Sequence, residues 1–332
     1  MGGQAVWIVH SQAVVTQGKF NIDDPCERHH GVKIPINDSN RKPVDEDSTL
    51  TESEDPSLAA YPKSARAAIA KRKAAMAEAE SAKVLQFPVW PEPKRGTPNS
   101  FLRSALFSAI QGKDRRFLRE EILASQNGYT VKFTGEQLNQ EDLTLWETFV
   151  HLARQHQLGT VCNFTAHGLL KALGLPTGGK NHRVLHSSII RLTACAVEII
   201  HENKKYFGSL VEGGAKDELT KHYVIRLNPD LIRLYGDTQW TAIDWQQRLQ
   251  LRRKPLAQAL HAYFSSHNRP FQVTLSFLQK ITGCRNVQMA SFKRQCRSAL
   301  DILQAIGFLA GYSIDGDKLA VVRSFISLPS QE

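Results

Sequence analysis

The chain has 332 residues, with 42 Lys and Arg against 32 Asp and Glu, a formal net charge of +10. Residues 1–96 carry 13 charges of each sign, so the whole excess lies in residues 97–332. This length allows two or three domains, each with its own core, and the uneven positive charge favours a polyanionic partner. A membrane partner is excluded: the opening Val6–Val9 run is far too short to span, and no basic amphipathic tail adjoins an apolar span.

Five widely spaced cysteines without a secretory signal fit a reducing cytoplasm. Cys162, Cys195 and Cys296 sit among apolar residues and read as buried thiols. Cys26, His29 and His30 place three potential ligands in five residues, but no second ligand pair follows at finger spacing, so no metal is expected.

Residues 1–60 alternate acidic, Ser, Asn and Pro stretches and read as disordered. Residues 59–83, rich in Ala, Lys, Arg and Glu, suit a surface helix. Pro88, Pro91, Pro93 and Pro98 then stiffen a linker. Within it, Gln86-Phe87-Pro88-Val89-Trp90 has the form of an extended peptide that docks in an apolar pocket; the alternative is that it packs back on the first folded unit.

The first unit begins near Asn99. Residues 129–134 and 160–164 alternate as strands, and Leu143, Trp146, Val150 and Ala153 mark a helix over 141–155. Thr165 caps the helix that carries Leu169, Leu170 and Leu173. From 180 to 203, Leu185, Ile189, Leu192, Ala196 and Ile199 recur at helical spacing, with Arg183 and Arg191 on the opposite side. Asn181 is a candidate cap for that helix. Strands at 205–210 and 223–227 flank a polar segment that reads as a wing, and its Glu212, Asp217 and Glu218 would repel phosphate.

The second unit repeats the plan. A helix over 249–264 starts afresh or kinks at Pro255. A short strand over 272–275 and a small helix over 276–282 follow. Met289, Phe292, Cys296, Ala299, Leu303 and Ile306 then form an apolar stripe, with Asn286, Lys293, Arg294 and Arg297 opposite. Asp315-Gly316 supplies a hairpin turn. Small helix, basic helix and hairpin are the three parts of a winged helix, whose second helix enters a DNA groove. Arg294 and Arg297 are the candidates for base edges, Lys293 for phosphate, and Arg285 and Arg323 for flanking contacts.

Catalytic patterns are missing. Gly174-Leu175-Pro176-Thr177-Gly178-Gly179-Lys180 matches seven positions of a phosphate loop. Asn181 then stands where a hydroxyl should hold magnesium, and a helix precedes the loop where a strand is needed. The reading is therefore a non-enzymatic protein without cofactors, α+β and mainly helical, with two tandem winged-helix domains at 97–238 and 239–326 behind a flexible region at 1–96.

Several stretches carry a family resemblance. Trp90-Pro91-Glu92, Pro98-Asn99, Arg103-Ser104-Ala105-Leu106-Phe107, residues 132–138, and Ala262-Tyr263-Phe264-Ser265-Ser266-His267 with Pro270 resemble plasmid replication initiators of the TrfA type, the broad-host-range IncP family. The resemblance covers roughly residues 84–325. It implies a protein that binds tandem direct repeats of origin DNA as a monomer, helps melt an AT-rich region and is inactive as a dimer. It also implies recruitment of host replication proteins: initiator, helicase and polymerase sliding clamp. In that family a clamp-binding pentapeptide precedes the first domain. Here Gln86, Phe87, Val89 and Trp90 occupy its place, departing from its Gln-Leu-Ser-Leu-Phe form. Met76 stands where an internal start would give a short form. The alternatives are a dimeric winged-helix repressor and an interaction protein that docks on a clamp.

Overall fold

The computed structural model describes residues 62–81, 87–154, 160–202, 204–236, 239–269, 271–285 and 288–324. The chain divides into two compact units, Met1–Ala68 and Ile69–Glu332. In the first, residues 62–68 are described; they open helix α1 (Lys63–Ser81), which also contains Met76. The expected disorder of residues 1–60 and the Cys26, His29, His30 cluster lie outside the described residues.

The second unit is α+β. Its elements begin with β1 (Lys94–Pro98), α2 (Asn99–Leu102), β2 (Phe117–Leu123), β3 (Tyr129–Glu136) and α3 (Gln140–Ala153). A helix pair with flanking strands follows: β4 (Val161–Thr165), α4 (Ala166–Ala172), α5 (Gly179–Ala194), β5 (Ala196–His201), β6 (Lys204–Gly208), β7 (Val211–Lys216) and β8 (His222–Leu227). After β9 (Trp240–Asp244), α6 (Trp245–Gln250) and α7 (Pro255–Ser265) come β10 (Val273–Thr274), α8 (Leu275–Ile281), α9 (Met289–Ala305), β11 (Leu309–Asp315) and β12 (Lys318–Arg323). No helix among the described residues is long and apolar enough to cross a membrane.

Two three-stranded antiparallel sheets, ordered β4-β8-β7 and β10-β12-β11, each close behind a helix pair, α4–α5 and α8–α9. That is an arrangement of the winged-helix type, made twice. A four-stranded sheet, β2-β3-β5-β6, is added to the first copy, and β1 pairs with β9. By that pairing β9 joins the first core, where Ile243 and Trp245 are buried, although its residues follow position 238.

The helix expected over 180–203 stops at Ala194, and Ala196–His201 is a strand. Ile199 fits both periods, at helical spacing from Ala196 and at strand spacing from Val197; burial of Cys195, Val197 and Ile199, with Ala196 exposed, shows period 2. The strand expected at 205–210 is β6, and it pairs with β5 rather than with β8. The wing's outer strand is the segment taken as a polar loop. Gly214 makes that pairing possible, since a Cβ there would sit 2.5 Å from the Val224 carbonyl oxygen. β2 carries too many charges to read as a strand; only Leu118 and Leu123 face inward.

One side chain ties the two copies together. Arg248 of α6 is 0% exposed. Its guanidinium lies 3.4 Å from the Glu147 carboxylate, donates to Thr144 Oγ1 (3.2 Å), Gln140 Oε1 (2.9 Å) and Gln140 O (3.0 Å) on α3, and reaches Gln258 O (3.2 Å) on α7. Thr97 Oγ1 donates to the other Glu147 oxygen (2.8 Å). Burial raises the Glu147 carboxyl above its usual range, against the pull of Arg248.

The Phe87–Trp90 segment is packed, not free. Phe87 is 5% and Trp90 2% exposed. The Phe87 ring meets Tyr235 edge-on at 5.1 Å and Trp90 stacks on the same ring at 6.2 Å. Trp90 Nε1 donates to His151 Nδ1 (3.1 Å), and His151 Nε2 donates to Glu92 Oε2 (2.9 Å). Arg154 closes the cluster on Trp90 O (2.8 Å) and Glu92 Oε1 (2.6 Å). The large apolar side chains that looked costly in a linker are satisfied by the first core, the packed alternative of the two. Val89 alone points outward, at 91% exposure. Gln86 lies outside the described residues.

Two predictions follow from this packing. Arg248→Met leaves Glu147 buried without its cation and should cost about 3–5 kcal/mol; urea unfolding measures it, and a loss below about 1 kcal/mol would deny the tie its role. His151 is pushed down to about 4, first by burial and then by Arg95 and Arg154, and His261 to about 3, first by burial and then by Arg248. Unfolded histidines take up protons near pH 6.5, so stability should be complete above that pH and fall as pH drops toward 4. Melting temperature against pH checks this, and His151→Gln should flatten part of the fall.

Candidate nucleic-acid interface

In the second copy, Thr274 caps α8 by accepting from Phe277 N (3.1 Å). Gly283, at φ +62°, turns the chain between α8 and α9, and a Cβ there would lie 2.4 Å from Ser108 Oγ. The turn therefore needs glycine both for conformation and for space. α9 buries Phe292, Cys296, Ala299, Leu300 and Leu303. Ala290, Arg294, Arg297 and Asp301 lie along its exposed side. Among the described residues no carboxylate stands within 4.0 Å of either arginine. Asp301, the acid nearest to Arg297 in sequence, instead accepts from the Tyr312 hydroxyl (2.5 Å), which pushes that phenol up to about 12.

The hairpin β11–β12 turns at Gly316-Asp317, one residue beyond the expected Asp315-Gly316, because Gly316 alone takes positive φ (+56°), at the first central position. This turn is pinned to the helix pair. Leu275 N donates to Asp317 O (2.7 Å), Ser276 Oγ to Asp317 Oδ2 (3.1 Å), and Lys293 Nζ to Gly316 O (2.8 Å). Lys293 thus fixes the wing against the basic helix rather than standing free.

Arg285 and Arg323 leave this face. Arg285 donates to Gln137 Oε1, so it spans to the first copy. Arg323 lies over the Phe308 ring at 5.2 Å and reaches His267 O (3.4 Å); burial lowers its pKa. Both are better anchors than phosphate contacts. Asn286 lies outside the described residues.

In the first copy, Thr165 caps α4 through Gly168 N (3.1 Å). Asn181 sits inside α5 and donates to Pro176 O (2.5 Å), so Gly178, not Asn181, holds the cap position. Lys180, Arg183, Val184, Ser187 and Ile190 form the exposed face of α5. Arg191 is turned inward: it is 9% exposed and pairs with Asp142 (3.2 Å) and Glu136 (3.0 Å). Arg115 joins the same Asp142 (2.9 Å). Spacing placed Arg191 opposite the apolar stripe, but two acids on β3 and α3, distant in sequence, draw it in.

The first wing is less acidic in effect than its composition. Glu218 bridges Lys216 (2.8 Å) and Lys221 (2.9 Å) and is pulled down to about 2 by those hydrogen bonds. Asp217 Oδ1 accepts from Leu219 N (2.9 Å) and Thr220 N (2.7 Å), closing the tip.

What this arrangement offers is two helix faces, one with Arg294 and Arg297 and one with Lys180 and Arg183, each beside a hairpin. Among the described residues no group of His, Cys, Asp and Glu could hold a metal ion. Cys162 and Cys296 are held as thiols, both pushed up to about 12 by burial. Sequence reasoning missed the inward role of Arg191 and the wing-pinning role of Lys293. The Ser276 and Asp317 side chains that complete that pin gave no periodic signal.

The chain is 23% identical over 239 residues to the plasmid replication initiator protein TrfA of Escherichia coli, covering 69% of this chain and 61% of that protein. It thus spans about three fifths of that relative's length. Among solved structures, it is similar to domains 2 and 3 of RctB, with TM-score 0.47 and 15% identity, covering 69% of this chain and 99% of that one. It is also similar to Pi initiator protein in complex with iteron DNA, with TM-score 0.41 and 14% identity, covering 60% and 100%. Residues 58–323 match the model of the family described as TrfA protein, and the chain belongs to that family.

Proposed function

We propose that this chain is a plasmid replication initiator that binds tandem origin repeats, or iterons, as a monomer. The observation that carries the reading is the α9 face. Arg294 and Arg297 are exposed without a carboxylate partner among the described residues, and the wing is fixed beside them by Lys293 and Asp317. Two planar, forked cations on a rigid helix suit guanine edges in the major groove. Lys180 and Arg183 of α5 add contacts spread along the site, mainly to phosphate. In this reading two DNA-binding domains, 97–238 and 239–326, follow an N-terminal region, 1–96. The protein works without catalysis of its own, in the cytoplasm of a bacterial host.

Melting of the origin and recruitment of host initiator, helicase and clamp are part of the same proposal, supported by family membership. Clamp docking through Phe87 and Trp90 has a cost here, since both rings are buried and must leave the first core before a partner can take them. Self-association as an inactive dimer has a specific support: Phe117, Ile122 and Phe207 are 70%, 71% and 74% exposed on β2 and β6, the two edge strands of one sheet. A dimeric repressor would use the same surface, and an inverted-repeat site would distinguish it.

Arg294→Ala and Arg297→Ala should each weaken binding to the specific repeat by about 1–3 kcal/mol while leaving non-specific affinity nearly unchanged. Arg191→Ala should instead lower melting temperature with the specificity ratio unaltered, because it removes an ion pair from the interior. Gel-shift titrations on repeat and scrambled duplexes at fixed salt separate these outcomes. Unchanged specificity in the Arg294, Arg297 double variant would place the reading helix elsewhere.

A further inference from the structure

Between α6 and α7 the chain makes one short turn, Leu251-Arg252-Arg253-Lys254, at the seam of the two winged helices. Leu251 is buried in the second core, and three consecutive cations follow it. Arg252 donates to Leu249 O and to Leu173 O at the end of α4, which ties the turn to the first copy. Arg253 and Lys254 are exposed, and neither has a carboxylate within 4.0 Å of its side-chain nitrogens among the described residues. No part of the DNA reading above uses them.

Their surroundings connect the two reading helices. Two depressions adjoin here and share Ile110, Gln111 and Pro255 in their walls. Arg253 lines the first together with Asn181, Val184 and Ser188 of α5. Lys254 lines the second together with Ser291, Gln295 and Ser298 of α9. Successive residues of a helix lie about 100° apart. These linings therefore stand directly beside the exposed strips Lys180, Arg183, Ser187 and Ala290, Arg294, Arg297, and on the same side of each. The two helices flank one trough, with Arg253 and Lys254 between them. The acids on this trough are Glu141 and Asp114. Glu141 Oε1 accepts from Arg253 N (3.3 Å), and Lys113 precedes Asp114 in one exposed turn. The other cations are engaged, Arg115 and Arg191 by Asp142 and Glu136, and Arg285 by Gln137.

The backbone at Arg253 is a second, independent observation. Its φ is +62°, in the left-handed region where glycine and asparagine are the usual occupants. The hydrogen bond from its N–H to Glu141 helps to hold it there. Outliers of this kind gather at functional sites, and a long cationic side chain is what glycine could not supply.

We propose that Arg253 and Lys254 are a third DNA contact, a phosphate clamp on the backbone between the two helix sites. The proposal rests on the initiator reading and adds a site to it. Helices seated in successive major grooves on one side of a duplex leave the backbone that borders the intervening minor groove facing the protein between them. There the two cations meet phosphate and displace its counterions. The clamp reads no base; it fixes the register of the two helices on the duplex and adds affinity for any sequence.

The test measures Kd of the purified full chain, across a salt series, for a duplex from the origin of its own replicon and for a scrambled duplex. Arg253→Gly and Lys254→Gln should each lower the slope of log Kd against log salt by about 1, and the double variant by about 2. Preference for the origin duplex should not change. Arg253→Lys keeps the charge and should keep the slope. Arg253→Gly also relieves the left-handed backbone, so its melting temperature should hold or rise; a merely structural arginine would give a lower melting temperature with an unchanged slope. Ethylation interference should place the phosphates lost in the double variant between the two protected half-sites. An unchanged slope in the folded double variant, or interference lost only at the outer ends of the site, would overturn the clamp while preference for the origin duplex stands. Absence of that preference in the wild-type chain would overturn the initiator reading, and the clamp with it.

Discussion

The structure depends on one buried charge pair. Arg248 and Glu147 are both fully removed from water, a costly placement offset by their mutual attraction and by the hydrogen bonds that the guanidinium and Thr97 make. Thr97 comes from β1, Thr144 and Gln140 from α3, and the Gln258 carbonyl from α7. The pair thus joins the entry strand and central helix of the first winged helix to the helix that opens the second. Hydrophobic packing is non-directional and would tolerate sliding along this seam. A guanidinium with fixed donor directions would not, so the network supplies a single register between the two winged helices.

A second set of contacts runs beside it. Arg103, in the entry segment, donates to Ser266 Oγ (3.0 Å) and to the Ser266 carbonyl, while the Tyr263 hydroxyl donates to Gln126 Oε1 (2.8 Å). Two of the stretches that carry the family resemblance, Arg103–Phe107 and Ala262–His267, therefore meet each other in space. Their shared job is to hold the seam, not to touch DNA.

Much of the fold was legible. α9, with five buried residues at helical spacing and cations opposite, was readable because one face packs and the other is solvated. Thr165, whose side chain caps α4, stood at the start of an apolar run. What failed has a physical reason in each case. Ile199 satisfies two periods at once, three residues from Ala196 and two from Val197, so the end of α5 at Ala194 left no signal. β7 has two glycines and a charged face, and it forms only because β8 offers a close partner. Arg191 looked like a surface cation because its acids, Glu136 and Asp142, are some fifty positions away. Of the candidate contacts, Arg183, Arg294 and Arg297 are on the surface, while Arg191, Lys293, Arg285 and Arg323 have structural partners. The family match reaches back to residue 58, further than the resemblance seen from position 84, because α1 has no apolar stripe to make it stand out.

The central claim is that two rigidly joined winged helices read repeated DNA as one unit. A footprint of the purified chain on the origin of its own replicon, repeated across a salt series, tests this most directly. The account predicts protection of regularly spaced direct repeats that persists as salt is raised, because base contacts outlast the screening of phosphate contacts. Protection confined to a single inverted repeat, or uniform coating that vanishes with salt, would contradict it.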